Sequence, residues 1–280
     1  MRARPGTGLG WSGALAILLA TALASGCLGG GDEDRVVVGT TTTVQDSGLL
    51  DVLVAAFERD TGIRARAVVG GSGEIVEKAR RGDVDVLLTH SPERERALVE
   101  EGVALSRTVV MRNRFVLAGP DADPAGLRGA ANASDALARV HANASLFASR
   151  GDGSGTHDKE VALWRAAGLD PASLGRAWYK ETGSGQAPTL LFADERGAYA
   201  LADEATLLQL RAAGRVAGLV DLGVRDPALV NEYAVTRLVG AARADLADAF
   251  ASWLAGPQGQ AAVASHRAGG SQVFSPAAEG

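Results

Sequence analysis

Val36-Val37-Val38-Gly39-Thr40-Thr41-Thr42-Thr43, with Leu49, Leu50, Leu53, Val54 and Phe57 behind it, is the stretch that decides the fold. Three β-branched residues ending in glycine read as a short strand, and the apolar residues of 47–60 recur at helical spacing. The result is strand, hydroxyl-rich loop, helix. Gly62 closes that helix and 64–69 reads as the next strand. Gly70-Gly71-Ser72-Gly73 then leads into a helix over 74–80, and 84–88 is a further apolar strand after Gly82-Asp83. Strands alternating with helices imply βαβ units and a mainly parallel sheet. In such sheets a ligand sits at the carboxyl ends of the strands, where the Thr run and the Gly-Gly-Ser-Gly loop fall.

A second polar loop lies a hundred residues on. Ser149-Arg150-Gly151-Asp152-Gly153-Ser154-Gly155-Thr156-His157 packs one fixed positive charge, several hydroxyls and three glycines in front of the helix-forming run Val161-Ala162-Leu163-Trp164. Glycine lets backbone approach a ligand closely, and a helix N-terminus offers unpaired N–H groups and a positive dipole end. Together they favour a small oxyanion. Two such loops predict a ligand clamped between two lobes. Strands are expected over 114–119, 146–148, 216–222 and 231–238, with 198–203 running into a helix that ends near 213. A polar loop is expected over 178–185, and helices over 134–141, 190–195 and 246–254. The chain crosses between lobes near 115–120 and 231–238. One lobe is then 35–116 plus 231–280, and the other 117–230.

The ends carry a different message. Arg2 and Arg4, the apolar run 15–23 and Ala24-Ser25-Gly26-Cys27 have the layout of an export signal over 1–26, too short for a spanning helix. Cys27 is the only cysteine, so no intramolecular disulfide forms. Its placement after Leu-Ala-Ser-Gly resembles a lipobox and marks it as a lipid-attachment site. Residues 27–34, with three glycines and three acids, read as a flexible tether that holds a soluble, monomeric domain at the outer face of the membrane. Asn132 and Asn143 each open an Asn-Ala-Ser tripeptide, read as chance in an Ala/Ser-rich segment.

Several function classes are excluded. A formal net charge of −5 and the lack of a basic cluster argue against nucleic acid. Ser154 lacks the G-x-S-x-G frame of a nucleophile elbow, so no catalytic residue is assigned and the chain is not read as an enzyme. His157 is expected to brace the cradle loop. The four histidines, 90, 141, 157 and 266, are scattered without cysteine partners, so no metal site and no cofactor are expected. Neither a P-loop nor a strand-positioned G-x-G-x-x-G is present. Trp164, Trp178 and Trp253 are expected in the core.

Thr40-Thr41-Thr42-Thr43-Val44-Gln45-Asp46-Ser47-Gly48-Leu49-Leu50 resembles the opening motif of the tungstate-binding proteins of ABC importers. Gly82-Asp83-Val84-Asp85-Val86-Leu87-Leu88 with His90, and the 149–157 cradle, resemble further blocks of that family. So do Trp178-Tyr179 with Glu181-Thr182-Gly183, Tyr199 with Asp203, and Asn231 with Tyr233. The resemblance spans about residues 36–240. It implies an α/β, two-lobed periplasmic-binding-protein fold of type II, closing on tungstate and delivering it to a permease and its ATPase, the alternatives being a molybdate-, phosphate- or sulfate-binding protein of the same fold or a non-transport sensor lipoprotein. The contacts it implies are Thr42, Thr43, Ser72, Arg150, Ser154, Gly155 and Thr156, supported by Thr41, Gly71, Asp152, His157 and Thr182. Thr43 departs from the family's serine by one methyl. The chemistry agrees: tungstate is a fully deprotonated dianion that only accepts hydrogen bonds, so neutral donors and one arginine suit it. Asp152 therefore belongs behind the ligand, orienting Arg150 or capping the following helix.

Overall fold

The computed structural model describes residues 35–277. In chain order the elements are β1 (Arg35–Thr41), α1 (Thr42–Asp46), α2 (Leu49–Thr61), β2 (Arg64–Gly70), α3 (Ser72–Arg80), β3 (Val86–Thr89), α4 (Pro92–Glu100) and β4 (Ala104–Pro120). Then come α5 (Ala133–Ala142), β5 (Phe147–Ser149), α6 (Gly155–Ala166), β6 (Tyr179–Glu181), α7 (Gln186–Arg196), β7 (Ala200–Asp203) and α8 (Glu204–Ala212). The chain closes with β8 (Leu219–Asp221), β9 (Val230–Leu238), α9 (Ala244–Ala255), α10 (Pro257–Ser265) and β10 (Ser275–Pro276). The proposed signal, Cys27 and the tether lie outside the described residues.

The opening strand–helix–strand unit forms as its sequence dictates. Leu49, Leu50, Leu53, Ala56 and Phe57 line the buried face of α2, and Gly62 ends it in the left-handed conformation at φ 71°. Phe57 packs edge-on to Phe250 and Trp253 at ring separations of 5.1 and 5.4 Å, which ties α2 to α9.

The principal sheet runs β10-β4-β9-β3-β1-β2, with β7 and β8 also paired to β4. β2 and β3 flank β1 in parallel, whereas β9 is antiparallel to both β3 and β4. The sheet is therefore mixed rather than mainly parallel. The reason is β4 itself: its residues 104–114 pair with β9, and 115–120 pair with β7 and β8, so one 17-residue strand runs through the whole molecule. Only its last third has the unbroken apolar pattern that marks a strand in sequence. Earlier positions carry Ser106, Arg107, Arg112 and Arg114, whose charges are met by Glu95, Glu232 and Glu204.

Apolar packing falls on two sides of this crossing. One core gathers Val36, Leu53, Phe57, Tyr233, Phe250 and Leu254, and the other gathers Phe115, Leu127, Phe147, Trp164, Tyr179 and Leu222. α8 contributes Ala205 and Leu208 to the first core, whereas its Leu207 and Leu210 pack with Val116, Leu190 and Leu219 in a further cluster. Trp164 is fully buried, and Trp253 and Trp178 lie against these cores, as expected from the sequence.

Candidate oxyanion-binding site

Three strand-to-helix turns meet here, and each element boundary places a donor. The Thr run is not a loop: Thr40 and Thr41 finish β1, while Thr42 and Thr43 open the short α1. Likewise the polar stretch after Trp178 contains β6, which pairs in parallel with β5. Gly71 precedes α3 in extended conformation and Ser72 is its first residue. Ser154 caps α6, its Oγ accepting from the His157 N–H at 3.3 Å.

Arg150 is the centre of the arrangement. Its side chain is 2% exposed. Nη1 donates to Thr43 Oγ1 and Thr156 Oγ1, each at 3.4 Å, and Nη2 donates to Asp152 Oδ2 at 2.6 Å. Asp152 Oδ1 accepts the Ser154 N–H at 3.1 Å, so this carboxylate both aims the guanidinium and ties down the turn before α6. Ser72 Oγ accepts the Gly155 N–H at 2.9 Å, joining α3 to α6 across 83 residues of sequence. The loop curls back on itself because Gly151 and Gly153 take φ of 60° and 67°. At Gly151 a side chain would lie 2.7 Å from Glu181 Cβ, so the β6 turn packs directly on the cradle.

The remaining residues named from the sequence have the following surroundings. Thr41 and Thr43 are buried and Thr42 is partly so. His157 Nδ1 accepts the Gly153 N–H at 3.0 Å, which gives this histidine a bracing bond within the loop. Thr182 Oγ1 donates to the Ser149 carbonyl at 3.2 Å and lies 2.8 Å from Thr189 Oγ1, supporting the cradle from behind. Thr41 Oγ1 and Arg150 Nε are buried without a hydrogen-bond partner. Buried polar atoms are normally satisfied, so a guanidinium N–H left over at the meeting of α1 and α6 suits an acceptor-rich anion. Arg150 also acts on its surroundings. Burial, and then the field of Arg150, push the His90 pKa from 6.5 down to about 3, so that imidazole is neutral.

Two buried clusters hold the site, and sequence reasoning missed Glu160, the centre of the first, and Asn113 of the second. Glu160 of α6 lies beneath the cradle, where Oε1 accepts from Tyr179 OH at 2.8 Å and from Trp164 Nε1 at 3.2 Å. Burial raises its pKa from 4.5 to about 7, against the hydrogen bonds that favour the charged form. From pH 4.5 to 7 the unfolded chain sheds this proton while the folded chain retains it, so stability falls as pH rises through that window. We expect the urea midpoint of the wild-type protein to drop between pH 5 and 8 relative to Glu160→Gln, which cannot titrate. Parallel curves would show that Glu160 carries no linked proton. The other cluster is Asp203, which accepts from Asn113 and Tyr233 where β4, β7 and β9 cross. Asp203, Asn231 and Tyr233 carry the family resemblance in the sequence, but Asn113 and the joining of these groups are visible only in the structure.

Residues 29–258 match the family model of a PBP superfamily domain. The chain belongs to the PBP superfamily. The α/β type II architecture and the family resemblance read from the sequence are thereby borne out. A protein of Haloferax volcanii described as a putative ABC transporter anion-binding protein is 38% identical over 260 residues, covering 89% of this chain and 73% of that one. The tungstate-binding protein TupA of Peptoclostridium acidaminophilum is 36% identical over 257 residues, covering 87% and 86%. Among solved structures, the tungstate ABC transporter protein of Geobacter sulfurreducens superposes with a TM-score of 0.75 at 36% identity, over 84% of this chain and 100% of that one. The Haloferax and Peptoclostridium relatives are described as binding proteins. Among the described residues, no group of three or more His, Cys, Asp or Glu side chains is placed to hold a metal ion, and no helix is long and apolar enough to cross a membrane.

Proposed function

We propose that this protein captures tungstate outside the cytoplasm and delivers it to the permease and ATPase of an ABC importer. The observation that carries the reading is Arg150: a buried guanidinium donating to a hydroxyl from α1 on one side and from α6 on the other. A tetrahedral dianion seated there accepts from Thr42, Thr43, Ser72, Arg150, Ser154 and Thr156 beside the Gly155 backbone, and the Asp152 carboxylate stays off it, because both its oxygens are engaged behind the arginine. Charge-assisted bonds of this kind contribute about 1.5–3 kcal/mol each. The relatives named for tungstate and for anion binding support the ligand class.

In this reading the two cores are lobes, 35–116 with 231–280 and 117–230, that close on the ligand about the β4 and β9 crossings. Cys27 carries the lipid anchor after removal of 1–26, and 28–34 is the tether. The protein acts as a monomer and performs no catalysis. Calorimetric titration with tungstate, molybdate, sulfate and phosphate at neutral pH tests it. Tungstate is expected to bind tightest and molybdate next, with phosphate weak because it carries a proton that finds no acceptor. Preference for phosphate or sulfate would overturn the ligand assignment.

A further inference from the structure

Arg94 stands outside the anion-contact set yet bridges both cores. It projects from α4, whose Leu98 packs with Val37, Ile75 and Leu87 on the other face of the sheet that carries the first core. Its Nε donates to Asp158 Oδ2 at 2.8 Å and its Nη2 to Asp158 Oδ1 at 3.1 Å, 64 residues away in the first turn of α6. α6 in turn is rooted in the second core through Leu163 and Trp164. The same Nη2 reaches the Gly153 carbonyl of the cradle loop at 3.3 Å. The seam beside it is tight. A side chain at Gly73 would lie 3.5 Å from Arg94 Nη1, and one at Gly155 would lie 2.7 Å from Ser91 Oγ.

The other large ion pairs differ in kind. Arg107–Glu95 joins α4 to β4 and Arg237–Asp248 joins α9 to β9, on the two faces of one sheet, while Arg114 forks onto Glu204 and reaches Asp221 beside the β4 crossing itself, away from the ligand site. Arg94–Asp158 is lost when α4 and α6 separate. The direct bonds across the ligand site, Arg150 to Thr43 at 3.4 Å and Gly155 to Ser72 at 2.9 Å, are fewer and lack a bidentate ion pair. A fork of guanidinium on carboxylate plus a backbone acceptor fixes geometry as well as attraction.

We infer that Arg94 is the clasp of the closed cleft, setting how long a bound oxyanion stays rather than how fast it enters. The clasp forms after the ligand has arrived, so its loss acts on dissociation. The kinetic part of this inference rests on the tungstate-capture reading, and the test separates the two. Stopped-flow tryptophan fluorescence with sodium tungstate is expected to show dissociation about three- to five-fold faster in Arg94→Gln and in Asp158→Asn, the range for a half-exposed ion pair. Association is expected to change less than the dissociation rate, and the double variant to be no worse than the poorer single one. Hydrogen exchange of the peptide containing Gly155, measured without ligand, reads the same clasp independently, because its N–H is held by Ser72 Oγ across the seam. Faster exchange in Arg94→Gln is the expected result. Unchanged dissociation, or single effects that multiply in the double variant, would overturn the inference. If the wild-type protein binds no tungstate, the ligand reading fails and the exchange experiment alone decides the clasp, with identical exchange rejecting it.

Discussion

Arg150→Ala is expected to remove tight oxyanion binding while leaving a folded protein. The guanidinium supplies the only fixed positive charge of the 149–157 cradle and reaches hydroxyls on both sides of the site. Its removal costs the ligand at least one charge-assisted bond. It also leaves the Asp152 carboxylate, now without its 2.6 Å partner, beside a dianion. Truncating one member of a buried, hydrogen-bonded charge pair typically costs about 2–5 kcal/mol of binding. That corresponds to a loss of affinity of roughly 30- to several-thousand-fold. Arg150→Lys restores the charge but not the fork, since a single ammonium cannot hold Thr43, Thr156 and Asp152 together as two guanidinium nitrogens do. It is expected to recover part of the affinity only. Titration calorimetry measures both variants, and a thermal melt without ligand controls for folding. The ligand-dependent rise in Tm should vanish in Arg150→Ala. Affinity within ten-fold of wild type would remove Arg150 from the centre of the site.

The parts of this molecule legible in sequence are those where one local rule acts alone. Val36–Val38, the apolar phase of α2 and the left-handed Gly62 define the first strand–helix–strand unit without help from the rest of the chain. The cradle was legible for the same reason, because a glycine-rich, hydroxyl-rich turn before a helix has few other uses. Within that turn His157 accepts the Gly153 N–H and Asp152 accepts from Arg150. What the sequence hid depends on partners far along the chain. α4 reads as a bare charge run, Pro92-Glu93-Arg94-Glu95-Arg96, because its buried face contains Glu95, satisfied by Thr89 and Arg107, rather than an apolar stripe. Arg94 is indistinguishable from Arg96 until α6 is brought beside it. The first two thirds of β4 stayed hidden because acidic groups from α4, α8 and β9 neutralise its arginines. The mixed sheet follows from that same strand, whose course through both cores no local pattern announces.

Asp203→Ala is expected to cost the most stability of any single polar substitution at the crossing. The residue is completely buried, at 0% exposure, where β7 gives way to α8. Its Oδ2 accepts from Asn113 Nδ2 at 2.7 Å on β4 and from Tyr233 OH at 2.9 Å on β9, with Asn231 Nδ2 at 3.4 Å. Oδ1 accepts the Thr206 N–H at 3.2 Å and caps α8. One carboxylate thus ties together the two strands that cross the molecule and the helix that reaches back to the first core. Alanine strips the acceptor from three buried side-chain donors and from the helix cap at once. Leaving buried donors unsatisfied costs about 1–3 kcal/mol each, and a lost cap about 1 kcal/mol, with the groups too close to be additive. A loss of about 3–5 kcal/mol is the expected sum, comparable to breaking a buried pair. For a domain of this size that lowers Tm by roughly 10 °C. Asp203→Asn separates shape from charge. It keeps one acceptor oxygen but turns an amide N–H towards groups that already donate, so it should recover only part of the loss. Burial also raises the Asp203 pKa, so the folded protein holds this proton to higher pH than the unfolded chain does. The stability difference between wild type and Asp203→Ala is therefore greatest below the unfolded-state pKa and shrinks as pH rises through the folded-state pKa. Urea unfolding at two pH values measures both effects. A loss below about 1 kcal/mol would mean that the crossing is held by the β4–β9 ladder and not by this carboxylate.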